Sequence, residues 1–244
     1  MVRSAEYSID FGAEASYEYN ENVNMNPDPI EVSGGFVAIP LQLRRRSERL
    51  DATLDAEASF YRYDVQEYDS DNQDLQGKLT YLLERGEVGV NAGYLRDSTR
   101  DSEFLDTGIV GPAATRRESA TAGGSISNLI SERNGFVGGI DYRDVSYEAE
   151  RFNDFDFVSG YGGWLHQWSP ITTLRLQAYG NRFETSGGVI DVTSKGLGAQ
   201  VGFEAQLSER LSLDMLAGWI TVETDYSAGP GIPLPAPEDD ESYL

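Results

Sequence analysis

Between residues 7 and 19 apolar and polar side chains alternate without a miss. Tyr7, Ile9, Phe11, Ala13, Ala15, Tyr17 and Tyr19 take the odd positions, with Ser8, Asp10, Gly12, Glu14, Ser16 and Glu18 between them. A period of two over such a length predicts a strand with one apolar and one polar face; a helix would scatter the carboxylates around its circumference. The pattern returns over 50–60, where Leu50, Ala52, Leu54, Ala56, Ala58 and Phe60 oppose Asp51, Thr53, Asp55, Glu57 and Ser59. It returns over 195–207, on Leu197, Ala199, Val201, Phe203, Ala205 and Leu207, and over 209–219, on Leu211, Leu213, Met215, Ala217 and Trp219. Weaker copies lie near 35–44, 74–83, 87–96, 118–130, 135–146, 155–168 and 171–182. Of these eleven predicted strands, 35–44 is the weakest, because Pro40 has no N–H to give a ladder.

The predicted connections alternate in length. Short ones fall near 45–49, 84–87, 131–134, 168–171 and 208–210, and long polar ones near 20–34, 64–74, 97–117, 147–154, 183–194 and 224–241. Strict alternation predicts an all-β, up-and-down antiparallel meander, tight turns at one end and long loops at the other, in a single domain spanning 1–244. The tripeptide Ser-Glu-Arg begins at Ser47, Ser131 and Ser208, each time on a short connection, and "LERGE" (83–87) nearly repeats it. Its copies read as polar corners where the chain reverses.

A meander must close to remove its edges. In water the apolar face would point inward, and Ala, Leu and Val are too small to fill a barrel of about eleven strands. With the pattern turned inside out, the apolar face meets lipid and the polar face lines a lumen. Strands of roughly 9–11 residues suffice to span a membrane when tilted. Aromatics near strand ends (Tyr7, Tyr17, Tyr19, Phe60, Tyr61, Tyr63, Tyr94, Trp164, Trp168, Tyr179, Phe183 and Trp219) are expected to form the interfacial girdles. Hence the expectation is a transmembrane β-barrel of about 11–12 strands in a bacterial outer membrane. Short turns and the N-terminus would be periplasmic and the long loops external.

Composition sharpens this picture. The 41 acidic residues against 19 basic ones give a formal charge of −22, which argues against nucleic acid as a partner. Mean hydropathy is −0.43, yet the chain holds 14 Tyr and 10 Phe, too many and too regularly placed for disorder. There is no Cys, so thiolate chemistry is excluded. No apolar run approaches the roughly 18 residues of a transmembrane helix. The opening "MVRSAEYSID" has no apolar leader core, so an envelope location implies a leader outside this sequence.

The stretch "ASYEYNENVNMNPDP" (15–29), a Tyr-rich first strand, resembles the opening of proteobacterial outer-membrane proteins of the β-barrel porin 2 group, which includes barrels associated with exopolysaccharide and exosortase gene clusters. "RSERLDATLDAEASFYRY" (46–63) is similar to their next hairpin, and the likeness is general beyond it. The resemblance implies an outer-membrane barrel and carries no catalytic residues. Members are longer and end on an aromatic strand, whereas this sequence stops at "EDDESYL". Bacterial barrels have even strand numbers, so eleven strands predict a shortened chain or a poorly marked last strand.

With the polar face as lumen, Asp10, Glu14, Glu18, Asp51, Asp55, Glu57, Asp141, Glu204 and Asp214 oppose only Lys78, Arg143 and Arg175. Nine carboxylates against three cations predict a passive, porin-like pore favouring cations. The rival expectation is a non-conducting structural or adhesive barrel that binds through its acidic loops, which carry more than half of the acidic residues. Lipid, lipopolysaccharide and bridging divalent cations are the expected partners, and no cofactor is expected. "DSDNQD" (69–74) spaces Asp69, Asp71 and Asp74 like the start of a calcium loop, but lacks its Gly and distal Glu. "EDDE" (238–241) is a charge run of the kind that is usually solvated. His166, the one histidine, lies between Trp164 and Trp168, and no Gly-x-Ser-x-Gly accompanies it, so an enzyme is not expected. The glycines of "GYGGW" and "GLGAQVGF" precede no helix and suit close packing in a sheet wall.

Overall fold

The computed structural model describes residues 5–22, 29–99, 115–149, 152–187, 190–208 and 211–228. The chain is all-β. Its strands are β1 (Glu6–Phe11), β2 (Glu14–Asn20), β3 (Val32–Arg46), β4 (Leu50–Tyr63), β5 (Ser70–Leu82), β6 (Gly86–Ser98), β7 (Arg116–Leu129), β8 (Asn134–Tyr147), β9 (Asp154–Ser169), β10 (Thr172–Ser186), β11 (Ile190–Ser208) and β12 (Leu211–Ala228). From β3 onward each strand pairs antiparallel with the next, in one up-and-down sheet.

The twelve strands occupy eleven positions, because β1 and β2 both pair with β3. Phe11 stands opposite Leu41 and Glu14 opposite Ala38, so the register continues unchanged across the break. Pro40 is the cause. Gly12 donates its N–H to the Pro40 carbonyl at 3.1 Å, but the proline has no N–H to return. On its other side Pro40 is part of an unbroken β3–β4 register, opposite Glu57. The proline thus interrupts only the outermost strand, where the lost bond does least harm.

One expected loop is mostly strand. Over 183–194 the β-branched residues Thr185, Ile190, Val192 and Thr193 carry β10 and β11 toward the loop end, and Gly187 takes φ +85 at the reversal. β5 starts at Ser70 and β6 runs to Ser98, which trims the expected loops 64–74 and 97–117.

Residues directly across a ladder share a face. Ile9, Leu43, Leu54, Gly77, Ala92, Ala122 and Tyr142 form one continuous row across seven sheet positions. Parallel rows continue to Leu176, Val201 and Ala217 on the far strands. Nothing among the described residues packs against this apolar face. Among the described residues only Val32, Ala38, Tyr63, Tyr68, Val145 and Ala205 are buried hydrophobics, while Phe11 is 84% and Leu197 63% exposed. A small core among the described residues joins Val32, Tyr63 and Tyr68 at the 64–69 connection.

The apolar face is a band. On β4 it runs from Leu50 to Phe60, about 25 Å tall if the strands tilt as in membrane barrels. Charge then takes over at the loop end. Arg62 pairs with Asp71 at 2.6 Å, Arg96 with Glu118 at 3.3 Å, and Arg182 with Glu184.

The turns explain the repeated tripeptide. Ser47 Oγ accepts the N–H of Leu50 at 3.2 Å, and Ser131 Oγ accepts that of Asn134 at 3.1 Å. In both, the serine hydroxyl caps the residue three positions on, a local turn that needs a short side chain with an oxygen to accept the bond. Ser208 likewise stands opposite Leu211. Replacing Ser131 by Ala is expected to cost about 1 kcal/mol, read from the urea midpoint of micelle-held protein. Ser131→Thr should keep most of that stability, and an unchanged midpoint in the alanine variant would show the hydroxyl to be idle.

Candidate functional site

All twelve charged residues expected on the polar face lie on one face of the sheet. Asp10 aligns with Gln42, Asp55 and Gln76 in one row, and Lys78 with Thr53 in the next. Glu57 stands opposite Asp74, Glu14 opposite Ala38, and Glu18 opposite Gly34. Asp51 follows Arg46, and Asp141 and Arg143 face Gly123 and Thr121. Arg175 and Glu204 are on the same side, facing Gly202 and Thr173, with Asp214 beside Glu204.

The sheet also brings in residues outside that set: Glu6, Arg44, Arg46 and Asp74 within the face, and the Asp97–Arg117 pair near the loop end. The expected loops 64–74 and 97–117 concealed three of them. Strict parity along β5, β6 and β7 is the signal that reveals them.

Charge is graded along this face. Near the turns, Arg44, Arg46 and Lys78 line a recess of about 470 Å³ with Asp51 and Glu48. Arg44 forks onto Asp51, with Nη2–Oδ2 at 2.8 Å and Nε–Oδ1 at 3.3 Å. Mid-sheet, beside the Gly12–Pro40 break, Asp10, Asp55, Glu57 and Asp74 line a second recess of about 530 Å³. There Gln42 Nε2 donates to Asp55 Oδ1 at 2.6 Å. No cation joins that second lining, so the potential in mid-sheet is negative.

The loop end of β3 and β4 is tied down. Ser33 donates its N–H and its hydroxyl to Asp64 at 3.0 and 2.9 Å, and Asp64 returns its N–H to the Ser33 carbonyl. The bonds from Ser33 hold the Asp64 carboxyl below the usual carboxylate range. Tyr63 donates its N–H to Asp69 at 2.7 Å, and its hydroxyl reaches Glu18.

The expected girdle divides in two. Tyr7, Tyr17, Tyr19, Phe60, Tyr94, Trp164 and Trp219 are on the apolar face by register. Trp168 joins them through its edge contact with His166, 6.4 Å between ring centroids. Trp219 sits in mid-strand and not at a rim. Tyr61, Tyr63, Tyr179 and Phe183 are on the polar face instead. Alternation forces this: Tyr61 neighbours Phe60, and Tyr179 and Phe183 share the parity of Gln177.

The structure does not bring Asp69, Asp71 and Asp74 together. Asp69 caps Tyr63, Asp71 pairs with Arg62 on the apolar face, and Asp74 lies on the polar face. His166 belongs to the apolar face, where its Nδ1 meets Asn134 Oδ1 at 2.9 Å and its ring stacks on Trp164 at 5.2 Å. "EDDE" (238–241) lies outside the described residues. The chain matches no protein-family model, and no curated protein matches it significantly.

Two outcomes follow from this geometry. Asp97 and Arg117 meet at 3.1 Å with side chains 9% and 11% exposed, whereas Asp51 and Arg44 are 38% and 44% exposed. Asp97→Ala should therefore cost about 3–5 kcal/mol in urea unfolding, and Asp51→Ala about 1 kcal/mol or less. Equal costs would refute the burial argument. Because the folded-state pKa of Asp64 is depressed, its contribution is present above the unfolded value of about 3.9 and is lost as pH falls through the folded one. Exchange protection at the Ser33 amide should fall in that acid window, and Asp64→Asn should remove the pH dependence.

Proposed function

We propose that the sheet is the wall of an outer-membrane β-barrel, with its apolar face in lipid and its polar face lining a lumen, and that it acts as a passive, porin-like channel favouring cations. One observation carries this reading. The exposed apolar side chains form a band of about membrane thickness, closed by charged pairs at the loop end. A soluble protein rarely leaves a contiguous apolar surface of this extent in water. From β3 to β12 every strand is long enough to span when tilted, while β1 and β2 reach that length only taken together. The turn end would be periplasmic and the loop end external, as is usual for such barrels.

Transport would be diffusion through a lumen whose acidic middle concentrates cations, with Arg44, Arg46 and Lys78 marking the periplasmic mouth. The resemblance of residues 7–63 to the β-barrel porin 2 group supports a link to exopolysaccharide or envelope traffic. A second reading is a closed, adhesive barrel that works through its outer rim. It rests on the acidic ledge lined by Glu67, Asp69, Asp71, Asp97, Glu148 and Arg116, which would meet lipopolysaccharide by charge at the rim; among the described residues no cluster of carboxylates is placed to hold a metal ion.

Planar bilayers separate the two readings. The pore should give steady currents whose reversal potential in a salt gradient is cation-biased. Asp55→Asn with Glu57→Gln should shift that potential toward the non-selective value without loss of conductance. A folded barrel that stays silent would sink the pore and leave the adhesive reading. Protein that remains monodisperse without detergent would sink both.

A further inference from the structure

The polar face is not uniformly charged. On β9 and β10 it turns aromatic. Tyr161 stands directly across from Tyr179, and Phe157 across from Phe183, with Ser159 and Asn181 as the pair between them. The two aromatic rows are four residues apart, about 13 Å along the strands. Phe155 extends the second row, its ring centroid 5.6 Å from that of Phe183.

Glycines on the flanking strands let several of these side chains lie down. A Cβ built on Gly139 of β8 would fall 2.6 Å from the Tyr161 ring, and one on Gly198 of β11 would fall 2.5 Å from the Tyr179 ring. One on Gly196 would fall 2.5 Å from the Asn181 amide oxygen. Both tyrosine rings therefore lie over a neighbouring glycine and present a face away from the sheet. Tyr161 keeps 39% of its surface exposed. The Tyr179 hydroxyl is directed to the Trp219 carbonyl at 3.4 Å, so the ring is anchored at its tip as well as covered from beneath.

The surroundings of these rings carry no net charge. On this face of β8 to β10, between Arg175 and the loop end, the described residues include one carboxylate, Asp141, across from Ser159, and one guanidinium, Arg143, across from Phe157. The remaining polar groups are amides and hydroxyls, among them the hydrogen-bonded Gln177–Gln200 pair at 3.1 Å. Exposed ring faces attract two kinds of ligand: organic cations, and molecules with a flat C–H face. A cation would settle on the acidic face of β1 to β5 in preference to a neutral floor. A sugar ring matches the floor on both counts. Its C–H face stacks on an aromatic ring, and its hydroxyl rim takes hydrogen bonds from amides and hydroxyls of the Asn181 and Ser159 kind.

We propose that Tyr161, Tyr179, Phe157 and Phe183 form a binding floor for a neutral, linear oligosaccharide. The floor rests on the lumen reading for its role in transport, but binding to it does not require an open pore. The test uses the full chain, folded in a micelle of sugar-free detergent, with maltohexaose as the probe and choline as the cationic control. Saturation-transfer NMR should show maltohexaose protons receiving magnetisation from the protein, with choline ineffective as a competitor. Tyr161→Ala and Tyr179→Ala should each weaken binding several-fold, roughly 2- to 12-fold for the loss of one stacked ring. Tyr161→Phe should bind as the unsubstituted chain does.

Gly139→Ala is the sharper variant, because it keeps the ring chemistry and only lifts Tyr161 from its seat. It should weaken binding while the thermal unfolding of the protein stays the same. No transfer to maltohexaose, binding indifferent to the tyrosine variants, or displacement of maltohexaose by choline would each overturn the proposal. Binding in a barrel that passes no current would remove the pore while leaving the floor in place.

Discussion

The structure depends on register. With a side-chain period of two, a slip of one residue at any ladder would send every apolar residue of the next strand to the polar face. Over eleven sheet positions the ladders hold without such a slip through the apolar band. The two irregularities, at Thr172/Thr173 and Gln206/Ser208, both sit against turns. There the extra residue is absorbed before the face is defined. The serine caps act at the same end of the sheet: by fixing where a strand begins, Ser47 and Ser131 fix which parity enters the next ladder. The hydroxyl at the turn and the alternation along the strand thus specify the same register.

A second constraint is that both faces need filling by side chains of very different shape. The apolar face is built from Ala, Leu and Val between larger residues, and has no facing layer to pack against. On the polar face, glycine takes the place that a facing layer would have. Asp141 and Asn91 lean over Gly123, Gln76 over Gly93, and the two tyrosines over Gly139 and Gly198. Side chains that lie along the sheet keep the space above it clear, as the proposed lumen would require. Gly139 on β8 and Gly196 and Gly198 on β11 are therefore not loose spots but seats for named neighbours, whereas Gly162 on β9 has open space beside it. At Gly198 and Gly218 a backbone carbonyl also comes within 2.6 Å of where a Cβ would sit.

Much of this was legible in the sequence, and the reason is physical. Parity is local information, so the strands, their two faces and the tight turns can be read without knowing which strand pairs with which. All twelve charged positions fell on one face because parity alone put them there. What parity does not carry is the position of strand ends. Ser70, Asp71 and Asn72 read as a polar loop with a metal-like spacing, yet they ladder with Tyr61, Phe60 and Ser59. The aromatics misled for a related reason. Nearness to a strand end suggested a girdle for Tyr179 and Phe183, when their parity already assigned them to the other face. Pro40 was weighed correctly as a missing donor. Which neighbour would lose the bond became clear only once Gly12 was seen across from it.

The eleven positions carry one more consequence, which is directional. Each antiparallel step reverses the strand, so an odd number of positions leaves β1 and β2 running the same way as β12. A membrane leaves no sheet edge unpaired in its hydrocarbon. Closing this sheet directly on itself would therefore require a parallel seam, and an all-antiparallel wall would require an odd number of further strands between the two edges. A second copy in the same membrane orientation offers only parallel pairings to these edges, since its strands point the same way. The two edges also differ in character. β1 and β2 are short, broken and acidic on one face, features that discourage pairing. β12 is unbroken over 18 residues, and it carries Leu216, Ile220 and Val222 on the face that is polar elsewhere, each at least half exposed. In an all-antiparallel wall, direction dictates that the strand covering this long edge would descend toward the turn end.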